Sequence, residues 1–109
     1  MQKNSLKLCK FIENTLSKNK AEEIIVIDLK RKTSIADFMI ICTGTSNRHL
    51  IALSNYLNEG LKKLRLNMLN IEGQKNGDWI VVDTGDIIIH LFRSEVRKYY
   101  NLEKMWSLN

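Results

Sequence analysis

Ser46 and His49 lie three residues apart, just after Gly44 and Thr45. A serine beside an imidazole, with carboxylates elsewhere in the chain, is the raw material of a nucleophilic hydrolase. No nucleophile-elbow pattern surrounds Ser46, however, and the pair reads better as the first turn of a helix. The Gly44-Thr45-Ser46 turn could also seat an anion on the helix N-terminus, but three small residues before a helix more often serve as a cap. A Gly-Ser turn of this kind opens the metal site of nucleotidyl-transfer enzymes, where two carboxylates alternating along the next strand hold the metal. Here the residues nine to thirteen positions after the turn, where those carboxylates would stand, are Leu53 to Leu57, and Asp78, Asp83 and Asp86 come too late and at the wrong spacing. Cys9 and Cys42 have no metal-ligand spacing and read as buried free thiols. Neither catalytic residues, nor a metal, nor a cofactor is expected.

Elements follow from the hydrophobic spacing. Leu8, Phe11, Ile12, Thr15 and Leu16 form the stripe of an amphipathic helix from about Ser5 to Ser17. Ile24 to Leu29 and Phe38 to Cys42 are short, apolar and β-branched, as strands covered on both faces tend to be. Between them Lys30-Arg31-Lys32 reads as a solvated turn. Leu50, Leu53, Ser54, Leu57, Leu61 and Leu64 share one face of a second helix, capped by Thr45 or Ser46, and Lys62, Lys63 and Arg65 complement its dipole. Gly60 weakens that helix without ending it. Met68 to Ile71, Asp78 to Asp83 and Ile87 to Phe92 are three further strands, with a tight turn at Gly73-Gln74-Lys75-Asn76-Gly77. Ser94 is placed to cap a last helix carrying Val96, Tyr99 and Tyr100, and a final turn spans Leu102 to Trp106. The expected fold is α/β: a single domain over residues 1–109, with a mixed five-stranded sheet flanked by helices in the order helix, two strands, helix, three strands, helix. Strand order is left open.

The last hairpin is expected to turn on Thr84-Gly85, which would pair Asp83 with Asp86, Val82 with Ile87, Val81 with Ile88, Ile80 with Ile89 and Trp79 with His90. One face then carries Ile80, Val82, Ile87, Ile89 and Leu91 and is core. The other mixes Trp79, Val81, Asp83, Asp86, Ile88, His90 and Phe92. Such a face suits a partner-binding surface, because tryptophan is enriched among interface hot spots. The competing reading is that a helix covers it, with Trp79 in the core and His90 a satisfied structural residue.

The chain of 109 residues carries a net charge of +5, which suits attraction to phosphate and proximity to RNA or a ribosome. An AT-rich coding bias toward Lys, Asn and Ile would produce the same charge on a solvated surface. Apolar runs stop at four to five residues, far short of a membrane span, and the lysine-studded N-terminus does not read as a secretory signal. A cytoplasmic location without membrane contact is expected.

The run Ser34-Ile35-Ala36-Asp37-Phe38-Met39-Ile40-Ile41-Cys42-Thr43-Gly44-Thr45-Ser46 with Arg48-His49 resembles the central signature of the Iojap-like family of ribosomal silencing factors. Glu72-Gly73 with Asp78-Trp79-Ile80-Val81-Val82-Asp83 is similar to its second motif, and Gly85-Asp86, His90, Arg97, Tyr100, Leu102-Glu103 and Trp106 continue the pattern in order. The resemblance implies a non-enzymatic binding module. It implies attachment to the large ribosomal subunit through the large-subunit ribosomal protein numbered fourteen, steric blockade of small-subunit joining, and repression of translation. Against it stand a nucleotidyltransferase-like enzyme, active or degenerate, and a general RNA-binding domain. Family members are commonly acidic or near neutral, and this basic chain departs from them. The family's tryptophan at the position of Trp79 favours the interface reading, with Trp79 as anchor and Glu72, Asp78, Asp83 and His90 as polar contacts to a basic protein. Tyr100 and Trp106 are assigned to packing of the last helix, and Asp37, Thr43 and Ser46 to fixing the strand-to-helix turn. A free Trp-bearing face could also pair two copies into a homodimer.

Overall fold

The computed structural model describes residues 5–66, 70–102 and 104. Its elements are α1 (Ser5–Lys18), β1 (Glu22–Asp28), β2 (Phe38–Gly44), α2 (Asn47–Lys63), β3 (Asn70–Glu72), β4 (Trp79–Asp83), β5 (Ile87–Arg93) and α3 (Ser94–Tyr100). The expected α/β order is therefore observed. The five strands lie in the order β1-β2-β5-β4-β3. β2 and β5 run parallel at the centre, and the other pairs are antiparallel.

Every residue of β2 is buried, which is why its sequence is an almost unbroken apolar run rather than an alternation. On one side of the sheet, α1 and α2 lay Cys9, Ile12, Leu16, Leu50, Leu53 and Leu57 onto Ile40, Cys42, Ile80, Val82, Ile89 and Leu91. The other side holds a smaller core of Ile27, Leu29, Ala36, Met39, Ile41 and Phe92, against which Val96 and Leu102 pack. Both cysteines are buried and free.

α1 and α2 are antiparallel neighbours. At one end a Cβ on Gly60 of α2 would lie 3.0 Å from the Phe11 ring of α1. At the other, His49 Nε2 is 2.8 Å from the Asn19 carbonyl, and the Thr45 N–H donates to His49 Nδ1 at 2.9 Å. These two bonds define the Nε2–H tautomer: the ring donates to the end of α1 and accepts from the turn before α2. Ser46 caps α2 as expected, accepting from the His49 N–H at 3.0 Å.

Several local expectations are corrected. The hairpin register is displaced by two: Asp83 faces Ile88, Val82 faces Ile89, Val81 faces His90, Ile80 faces Leu91 and Trp79 faces Phe92. Thr84 closes the turn by donating its N–H to the Ile87 carbonyl at 3.0 Å, and the loop is Gly85-Asp86, with Gly85 at φ +99°. A two-residue slide leaves every side chain on its predicted face, because the side-chain period of a strand is also two. Ser94 does not cap α3; Arg93 occupies the cap position without a side-chain bond, and the Ser94 hydroxyl bonds Glu95 instead. Leu64 is not on the buried stripe, since α2 ends at Lys63 and Leu64 is 45% exposed. The third strand is observed from Asn70 to Glu72, and its expected start at Met68 lies outside the described residues, as does Trp106.

Candidate partner-binding face

Ladder alternation fixes how close the side chains of β4 and β5 come. The Thr84 N–H to Ile87 carbonyl bond and the Arg93 N–H to Asp78 carbonyl bond, both 3.0 Å, mark hydrogen-bonded pairs at the two ends. The pairs between Asp83 and Ile88, Val81 and His90, and Trp79 and Phe92 are then the non-bonded kind, in which opposed side chains approach most closely. All three lie on the mixed face.

Trp79 is the centre of that face. Its ring lies 4.8 Å from Phe92 and 4.6 Å from Tyr100, centroid to centroid. Its Nε1–H donates to Nδ1 of His90 at 2.9 Å. His90 is 8% exposed, and burial pushes its pKa down to about 4. The imidazole is thus neutral at physiological pH and serves as an acceptor that fixes the indole's orientation. Tyr100 is 48% exposed and Tyr99 82%, so the aromatic cluster runs from the buried His90 outward to solvent at the end of α3.

The expected site residues fall into three settings. Glu72 is opposed to Val81 and shares the face of Trp79 and Asp83, so the structure brings those three together. His90 lies beneath them, able to act on a partner through the indole it holds. Asp78 is not brought into this patch: it projects to the α2 side, where its Oδ1 accepts from Asn47 Nδ2 at 3.0 Å and from Arg93 at 3.1 Å. That carboxylate ties the start of β4 to the start of α2.

The helix thought able to cover this face does so over its central strands. α3 packs on β5 and β2, while Glu72, Val81 and Asp83 retain solvent exposure beyond it. Tyr100 accordingly belongs to the surface as well as to the packing of α3, a role that the assignment to packing missed. Arg97, 7% exposed, anchors α3 from within, its Nη1 donating to the Thr43 hydroxyl and to the Glu23 carbonyl at 2.7 Å each. Glu23 sits in a β-bulge of β1 with φ +49°, which turns that carbonyl toward the guanidinium. Thr43 therefore holds the last helix rather than the turn into α2. No cluster of three or more metal-ligating side chains occurs among the described residues.

Residues 2–109 match the family model described as "Ribosomal silencing factor during starvation". The chain belongs to the ribosomal silencing factor family. This silencing factor is 46% identical over 100 residues to ribosomal silencing factor RsfS of Zymomonas mobilis, covering 92% of this chain and 75% of that one. It is 41% identical to the RsfS protein of Haemophilus influenzae, covering 98% of that chain. A mouse relative named mitochondrial assembly of ribosomal large subunit protein 1 is 38% identical over 96 residues, 42% of its own length. The fold matches a Chromobacterium violaceum crystal structure with a TM-score of 0.91 at 34% identity, covering 95% of this chain and 87% of that one. The bacterial relatives carry the name of a regulator of ribosomes, not of an enzyme, which sets the nucleotidyltransferase reading aside.

Proposed function

We propose that this silencing factor is an anti-association protein: it seats the Trp79 face on the large ribosomal subunit, through the ribosomal protein numbered fourteen, and blocks small-subunit joining by bulk. The observation that carries this reading is the half-open sheet face itself. An indole locked by His90 and packed against Phe92 and Tyr100 is a rigid anchor that loses little side-chain entropy on binding. Glu72 and Asp83 beside it suit a basic protein surface. Asp78 contributes by holding β4 in place, and His90 by orienting Trp79. The action is cytoplasmic and represses translation. In the free protein the same face is where two copies would pair.

The test is to mix purified small and large subunits with saturating protein and follow full ribosomes by gradient sedimentation. The peak is expected to fall as protein is added, and isolated ribosomal protein fourteen is expected to bind without RNA. Full ribosomes forming unhindered at saturation would overturn the reading.

A further inference from the structure

The net positive charge of the chain sits in one layer, since the nine Lys and Arg outside it are matched by ten carboxylates. Residues 5–20 and 46–66, which form α1, α2 and their ends, hold eight Lys and Arg against Glu13 and Glu59, a net of +6, so the rest of the chain sums to −1. All eight are exposed. Because α1 and α2 are antiparallel, they gather into two groups. Lys7, Lys10, Lys62, Lys63 and Arg65 lie where α1 begins and α2 ends, and Lys18, Lys20 and Arg48 lie at the other end. At a rise of about 1.5 Å per residue, Arg48 and Lys62 are about 20 Å apart along α2. Between the groups the exposed residues are Asn14, Ser17, Asn55 and Tyr56, which can hydrogen-bond a polyanion, and the carboxylates Glu13 and Glu59. This layer covers the side of the sheet opposite Trp79. Net charge is thus uneven, positive on the helical layer and slightly negative over the rest of the chain, where Glu72 and Asp83 lie beside the tryptophan.

We infer that the outer surface of α1 and α2 is a second binding surface, one that docks on the phosphate backbone of RNA. Two cationic groups bridged by asparagine and tyrosine match a polyanion that also offers hydroxyls and bases. A lipid surface fits less well, because the span between the groups is polar, and the exposed leucines Leu6, Leu64 and Leu66 sit at one end. Membership of a ribosomal family favours RNA among polyanions; in all else the inference is independent of the Trp79 reading, since it concerns the opposite side of the sheet. Lys30, Arg31, Lys32, Lys75 and Lys98 are exposed outside this layer, so what marks α1 and α2 is the scarcity of carboxylates beside their cations, which codon drift toward lysine does not by itself produce.

The experiment measures binding of the full chain to a labelled RNA duplex of about 24 base pairs across a salt series. The parent is expected to bind at low salt with a log–log slope of about −3 to −6. Charge reversal at Lys10→Glu, Lys62→Glu and Lys63→Glu is expected to weaken binding at least ten-fold and flatten the slope by about 3. Arg31→Glu, Lys75→Glu and Lys98→Glu make the same net change at exposed positions outside the helical layer, and are expected to cost less than three-fold. Equal losses from the two triple variants would show bulk charge rather than a surface and overturn the proposal. So would parent RNA binding that ignores salt, or binding to phosphatidylserine vesicles ten-fold tighter than to RNA. Lys10→Gln, Lys62→Gln and Lys63→Gln repeat the test more gently should the reversed variant lose its helical circular dichroism. Binding to isolated ribosomal protein fourteen separates the two surfaces: the helical variants should leave it unchanged, and its loss in them would mean that α1 and α2 form a protein site instead. If the parent fails to bind that protein yet binds RNA as described, the Trp79 reading falls and this one stands.

Discussion

Trp79 faces Phe92 across the β4–β5 ladder, yet its indole donates diagonally to His90, which is itself opposed to Val81. Diagonal neighbours are about 7–8 Å apart between strands, a gap that an aromatic side chain can span. The indole therefore reaches along the sheet toward His90 while it packs against Phe92 and Tyr100. It is at once a structural and a presenting residue, and the two roles need different tests.

Truncating Trp79 to alanine removes both ring contacts and strands the His90 acceptor, so we expect a loss of about 2–4 kcal/mol in folding stability along with weaker binding. Glu72→Lys and Asp83→Asn separate binding from folding. Each is expected to shift stability by less than about 0.5 kcal/mol while weakening large-subunit binding by about 1 kcal/mol. Cosedimentation with large subunits and urea unfolding of the same preparations check this. Unchanged cosedimentation of both variants would remove the carboxylates from the interface.

Acid should loosen the fold through His90. Burial depresses the folded-state pKa to about 4, while the unfolded chain takes up this proton near pH 6.5. Between those values the unfolded state holds the extra proton, so stability is full above about pH 6.5, falls as pH drops, and levels off below about 4. The loss attributable to His90 is about 3 kcal/mol. Urea unfolding of the parent and of His90→Gln at pH 7 and pH 4.5 should show a smaller acid loss in the variant. Parallel curves would mean that His90 titrates normally.

What could be read from the sequence depended on how local the information was. The alternation in β4 and β5 assigned Trp79, His90 and Phe92 to one face correctly, because period-two patterning survives a two-residue slide. The register itself did not follow, since Thr84-Gly85 and Gly85-Asp86 are both plausible turns, and the Thr84 side chain decides between them by closing on Ile87. Asp78 looked like a surface carboxylate beside Trp79, but its position one residue earlier turns it to the other side of the sheet, toward Asn47, 31 residues away in sequence. Arg97 drew notice through family resemblance alone. Its two acceptors are 54 and 74 residues distant, and no periodicity signals such a contact.

The thiols should be inert until the chain unfolds. Burial pushes Cys9 up to about 11, with Glu13 adding to it, and Cys42 up to about 12. At pH 8 little thiolate is available and neither sulfur is accessible. A disulfide-exchange reagent is expected to label both completely in denaturant and neither within minutes in buffer, the native rate following transient opening. Rapid native labelling of Cys42 would mean that the central strand is far less protected than its packing implies.

The Arg97 clamp should control the Trp79 face from below. Thr43→Val keeps the shape of the side chain but removes the hydroxyl that accepts from Nη1, at an expected cost of about 1–2 kcal/mol. Arg97→Met also deprives the Glu23 carbonyl in the β1 bulge and is expected to cost about 2–3 kcal/mol. Since the two residues share one bond, the double variant should cost clearly less than the two single losses added together, by about 1 kcal/mol or more. α3 carries both Arg97 and Tyr100, and Tyr100 rests on Trp79. A loosened helix therefore frees one wall of the indole's seat, and Thr43→Val should weaken large-subunit binding despite lying away from the exposed patch. Full additivity in urea unfolding, or unaltered binding by Thr43→Val at a temperature where it is fully folded, would disconnect the clamp from the face it is argued to support.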